Sequence, residues 1–199
     1  MRNVNNVTAS IISSAFMVFL LVFLAPGALA QKDSKAPANS TDKKVFNGQH
    51  DFDFEIGTWR TKLQLLKSPL SNSTTWLHYE GTTTVTKVFD GRANLVELSV
   101  AGPAGKIEGL SLRLFDPKND VWILNFANMR DGQLAIPAVG SFKNGRGEFF
   151  NEDTYDGKKI LVRFVISDIT ANSCHFEQSF SADNGATWEV NWIVDDTRI

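Results

Sequence analysis

The chain predicts an all-β fold, about ten antiparallel strands closed up-and-down into a barrel, with a two-sheet β-sandwich of the same hairpins as the alternative. Three observations carry that expectation. From Gly57 onward no stretch sustains a helical period, and runs rich in Val, Ile, Thr, Phe and Trp alternate with turn clusters. Nearly all the connections are too short for the crossover that a parallel pair needs. A meander of this kind leaves two open edges unless its first and last strands meet, and closure removes both.

The first strand is read from Gly57 to Lys67, closed by "SPLSNS". A long strand follows from Thr75 to Phe89, with Gly81 marking a bulge or bend. "DGR" turns the chain into "ANLVELSVA", and "GPAGK" leads to Ile107–Phe115. "DPKND" then precedes Val121–Asn128. The next run, "QLAIPAVGSF", is weaker, because Pro137 cannot donate to a ladder and implies an edge or a break. "KNGRG" opens "EFFNEDTY", Asp156-Gly157 joins it to "KKILVRFVIS", and "DITANS" joins that to "CHFEQSFS". "DNG" leads into the last strand, "ATWEVNWIVDD".

The barrel domain is expected over 46–199. Before it, Arg2 precedes an apolar run from Ile11 to Ala25, and Ala28-Leu29-Ala30 forms a small-x-small site. A basic start, a short apolar core and such a site describe a secretory signal peptide over 1–30, cleaved after Ala30. At about 15 residues the run is shorter than the roughly 20 of a spanning helix, so no membrane span is expected in the mature form. Residues 31–45 are polar without periodic apolar positions and read as a disordered linker. The expected location is therefore periplasmic or extracellular. What remains is one domain of roughly 150 residues, enough to build a core without staples.

A formal net charge of −2 supplies no basic footprint for nucleic acid. Cys174 is the single cysteine, so no internal disulfide can form, and it reads as a small buried residue rather than a reactive thiol. Oligomeric state leaves no signal in the sequence.

"SADNGATWE" (Ser181 to Glu189) resembles the Asp-box of sialidases and related propellers. Those boxes recur on successive blades, and here there is one copy and no blade-length repeat. The local chemistry explains the string: Asp183 accepts from loop amides, Gly185 tolerates a left-handed turn, and Trp188 packs against the hairpin. It is read as a turn clamp.

"FDFEIGTWR" (Phe52 to Arg60) resembles the signature of lipocalins and fatty-acid-binding proteins, an aromatic turn followed by Gly-x-Trp at the start of the first strand. The resemblance implies a calycin barrel whose turn plugs one end. It further implies that Gly57 and Trp59 sit at that end, with Arg198 lying across the indole. "SLRLFDP", "GRGEFFNEDTYDGK", "VRFVISDI" and "FEQSFSADNGATWE" follow in order, and with "FDFEIGTW" they resemble a family of secreted bacterial proteins of unknown function with a lipocalin-like barrel. That likeness implies the fold and no activity. A haem-binding relative, the nitrobindin group, places its histidine on a strand near the C-terminus. The last strand here has none, and His175 lies one strand early, so haem is disfavoured and no cofactor is expected.

Metal clusters are not indicated by the histidines His50, His78 and His175 or by the acidic hairpin end "NEDTYD". No nucleophile elbow or phosphate loop is present either. The remaining chemistry is a set of polar residues inside apolar strands: Arg113, Arg163, Glu148, Glu177 and Asn191. On an outer face they need no explanation, whereas in a lumen each needs a partner or a ligand. The two arginines are expected to pair across the interior with Glu148 and Glu177. Trp76 and Trp192 join Arg113, Arg163, Glu177 and Asn191 as ligand-binding candidates, and Trp188 and Trp192, four apart on one strand, are expected to share a face.

Three functions fit: a binding barrel for a small, largely apolar molecule, an enzyme using Glu177 or Glu148 as general acid or base, and a filled structural barrel.

Overall fold

A computed structural model describes residues 48–199, and the expected signal peptide and linker lie outside the described residues. Ten strands follow in chain order: β1 (Gly57–Leu66), β2 (Trp76–Val88), β3 (Ala93–Gly102), β4 (Gly105–Asp116) and β5 (Val121–Asn128), then β6 (Ala138–Lys143), β7 (Arg146–Tyr155), β8 (Lys158–Ser167), β9 (Ser173–Ser181) and β10 (Glu189–Arg198). Each pairs antiparallel with its neighbour in sequence, and β1 pairs with β10, so the sheet closes into a barrel. The closed form wins over the sandwich because β1 finds a partner on both sides: Trp59 opposes Arg198 on one and Thr83 on the other. Among the described residues no helix is long and apolar enough to cross a membrane.

Two departures from the strand pattern have local causes. β6 starts only at Ala138, after Pro137, and pairs with β5 over three positions, while Leu134 makes an isolated bridge to Ala127. At Gly81 the ladder runs on both sides without a slip, so it is not a bulge. A Cβ there would fall 2.1 Å from the Ser99 carbonyl oxygen, so the glycine marks a close approach of two strands.

The aromatic turn plugs one end. Phe52 is buried with edge contacts to Trp122 and Phe142, each at 4.9 Å between centroids, and stacks on Phe149 at 5.8 Å. Trp59 is fully buried and donates its indole N–H to the Glu55 carbonyl at 2.6 Å. The Arg198 guanidinium lies 4.1 Å from the Trp59 ring and donates to the carbonyls of Phe54, Ile56 and Ala171. Gly57 is needed here twice over: its φ is +129°, and a Cβ would meet Arg198 Nη1 at 2.8 Å.

The β9–β10 hairpin is tied by its own side chains. Asp183 accepts from the Thr187 amide at 2.9 Å, the Thr187 hydroxyl at 2.6 Å and the Ser181 hydroxyl at 2.7 Å. These bonds hold the Asp183 carboxyl down at about 2. Asp183→Ala removes the shared acceptor, so a lower melting temperature is the expected result, with the barrel's secondary structure unchanged by circular dichroism. An unchanged melting temperature would contradict the role of turn clamp.

β10 carries the main irregularity. Its pairing with β9 slips between Val190 and Trp192, leaving Asn191 as an extra residue. One extra residue inverts the alternation, so Trp192 points into the barrel while Trp188 packs outside against Phe150 and Arg163. The expectation that the two tryptophans share a face is thereby overturned.

Candidate ligand-binding site

Strand alternation decides what the barrel encloses. Toward β1–β3 the lumen is filled by Leu63, Tyr79 and Val100, which pack with Val194. Elsewhere it is hollow: a cavity of about 220 Å³ is walled mainly by apolar side chains, among them Val96, Leu124, Phe126, Val162, Phe164 and Phe176. One water needs roughly 10–15 Å³ on this scale, and drug-sized pockets run from about 300 Å³, so the space suits a small molecule.

The polar groups concentrate at the plugged end. Arg113, on β4, points inward and makes a two-pronged ion pair with Glu55 from the plug, with Nη1 on Oε2 and Nη2 on Oε1 at 3.2 Å. Both side chains are more than nine-tenths buried, and the guanidinium sits 4.3 Å from the Phe52 ring. Beside them Asp196 accepts from the Thr61 hydroxyl at 2.6 Å, and Thr61 in turn meets the Thr83 hydroxyl at 2.7 Å. Burial raises the Asp196 carboxyl to about 6, the Thr61 hydrogen bond opposing and nearby Glu55 adding to the rise. Cys174 lines the same region, and burial pushes its thiol up, out of the range of a reactive thiolate. Further along the lumen Gln178 donates to Asn191 at 2.8 Å, and Asn151 donates to the Ile136 carbonyl at 3.0 Å.

The polar residues singled out from sequence divide between the two faces. Arg113 and Trp192 line the cavity, and Asn191 is buried behind Gln178. Arg163 does not pair across the interior: it faces outward, 4.6 Å from the Trp188 ring. Glu148 lies outside with Arg146 at 2.9 Å. Glu177 also lies outside, next to His175 at 3.2 Å. His175 bonds Asp195 as well, at 2.7 Å; burial alone would lower its pKa, but the two carboxylates outweigh it and raise it. Neither glutamate can act on a ligand in the cavity. Trp76 falls on the face of β2 opposite Tyr79 and Thr83, away from the lumen. The acids that do reach the cavity, Glu55, Asp153 and Asp196, were not among the candidates. Glu55 left one trace, an acid that stands with Asp53 in the otherwise apolar string "FDFEIG".

No family model matches the sequence, and neither does any curated protein. Among solved structures the chain is similar to the S-type phycobiliprotein lyase CPES from Guillardia theta, with a TM-score of 0.54 at 10% identity, over 78% of this chain and 94% of that one. At such identity the likeness concerns the fold alone. Fold and lumen together define a lipocalin-like, ten-stranded antiparallel barrel with a hollow interior.

Proposed function

We propose that the protein is an exported binding barrel for a small, largely apolar molecule. The observation that carries this reading is the cavity: apolar walls rich in phenylalanine, with a few fixed polar groups among them, are the usual make-up of a small-molecule site. A filled structural barrel would have spent that volume on side chains. The protein of similar fold is named a phycobiliprotein lyase, which is in keeping with barrels of this build serving small-molecule chemistry, and its activity is not carried over.

The test is capture of a neutral fluorescent probe, N-phenyl-1-naphthylamine. Enhanced, blue-shifted emission saturating at one equivalent is expected. Val162→Phe, which puts a larger side chain into the cavity, should weaken capture at least about ten-fold, or 1.4 kcal/mol, with the fold retained. Capture unaffected by Val162→Phe would place the probe on the outer surface and overturn the reading.

One observation favours an enzyme as the second reading. Asp196 is a buried acid with its carboxyl raised to about 6, the state that a general acid or base near neutral pH requires. It replaces Glu177 and Glu148 in that role. Turnover with a limb near pH 6 that vanishes in Asp196→Asn distinguishes this reading from plain binding.

A further inference from the structure

Hydrogen-bond bookkeeping at the plugged end of the cavity specifies the kind of head group it accepts. Among the lining residues Arg113 is the single cation, against three acids, Glu55, Asp196 and Asp153. Glu55 takes one N–H of each Nη atom and Phe52 covers one guanidinium face, while Nε is buried without a partner. An incoming carboxylate would meet Glu55 and Asp196, two acids against this one cation, whose charge is already matched in the buried pair. The hydroxyls are committed as well. Ionised Asp196 can only accept, so Thr61 must donate to it. Thr61 has no second proton, so Thr83 is the donor in the bond between the two threonines. Thr83 lines the cavity and, having given its proton to Thr61, offers only lone pairs there.

Thr83 and Asp196 therefore present acceptors to the cavity, Asp196 as a carboxylate without a cation of its own, under a wall of aromatic rings that includes Phe126, Phe164, Phe176 and Trp192. We propose that the cavity selects a small aromatic or alicyclic amine in its cationic form, with the ammonium on Asp196 and the ring system among these side chains. An ammonium brings donors for Asp196 and Thr83, and aromatic faces stabilise a desolvated cation further. The proposal rests on the binding reading above and adds to it the class of ligand.

Selection for a cation needs Asp196 ionised. The groups that act on it are Glu55 and Arg113 from the plug and β4, with Asp195 beside it on β10, and Cys174 faces it from β9. Because the folded-state carboxyl is raised to about 6, the preference is present above that pH and is lost as pH falls through it.

A matched set of probes separates the outcomes: naphthylmethylamine, naphthylmethanol, methylnaphthalene and naphthylacetate, titrated calorimetrically into the intact protein. At about pH 7.5 the amine should bind at least about ten-fold tighter than methylnaphthalene and the acetate, and by about pH 5 the advantage should largely disappear. Asp196→Asn, which keeps an acceptor for Thr61, should abolish the advantage at the higher pH while methylnaphthalene binds as before. The pH series on the unmodified protein is a readout independent of that variant's folding. Equal binding of amine and alcohol, preference for the acetate, or an amine advantage that survives both low pH and Asp196→Asn would overturn the inference. If methylnaphthalene binds without any amine preference, only the inference fails; if no probe binds, the binding reading fails with it.

Discussion

Replacing Trp59 with alanine is expected to cost about 3–5 kcal/mol, the range for deleting a large, fully buried aromatic side chain. Trp59 has no solvent exposure, and its indole ties β1 to the plug through the Glu55 carbonyl. Arg198→Ala should cost about 2 kcal/mol, because it removes the cation from the ring and leaves three backbone carbonyls without their donor. The two residues hold one junction, where the first strand meets the last, so a double-mutant cycle should show coupling of at least about 0.5 kcal/mol. Arg198→Lys should not restore the loss, since an ammonium cannot reach three divergent carbonyls while stacking on an indole. Denaturant unfolding of the four variants measures all of this. Strict additivity would mean that the stacked pair contributes nothing as a pair.

The second large effect concerns Glu55 and Arg113. Arg113→Met should destabilise by about 3–5 kcal/mol, since it leaves the Glu55 carboxylate buried without a counter-charge, next to Asp196. Removing both charges, as in Glu55→Leu with Arg113→Met, should recover most of that loss, to within about 1–2 kcal/mol of the unmodified protein. Ligand selectivity moves separately: the single change opens the cavity floor, whereas the double change leaves Asp196 as the one remaining acid at that end. A double variant no more stable than Arg113→Met would show that the pair is required for the fold itself and not merely balanced within it.

How far the site was legible depends on the distance over which each decision was made. The turns were readable because their chemistry is local: Asp183, Asn184 and Gly185 contain everything their hairpin needs, with φ positive at Asn184 and Gly185. The closed end was readable for a different reason. Gly57 and Trp59 stand in a compact string whose resemblance to lipocalins and fatty-acid-binding proteins implied Arg198 on the indole, and closure of β1 on β10 sets the two residues opposite each other. The ion pair was half readable. Arg113 stood out as a charge in an apolar run, but its partner comes from the plug, not from Glu148 or Glu177 on other strands.

Strand pattern, turn positions and the pairing of neighbours in sequence were determined by the sequence itself, because each depends on residues a few positions apart and on a meander's need to cover its edges. Which face each strand turns to the lumen was not. In "LSLRLF" the alternating leucines suggest an inward apolar face, yet Leu114 is exposed and Arg113 is the residue inside. In "LVRFV" both faces are apolar, and there the arginine points out onto Trp188. A period-two pattern orients a strand only when one face is polar. Here both faces carry apolar side chains, so orientation was decided by contacts that exist only after closure: Glu55 waiting at the plug for Arg113, Trp188 folding over Arg163, and the extra residue Asn191 inverting β10 so that Trp192 and Asp196 both reach the cavity.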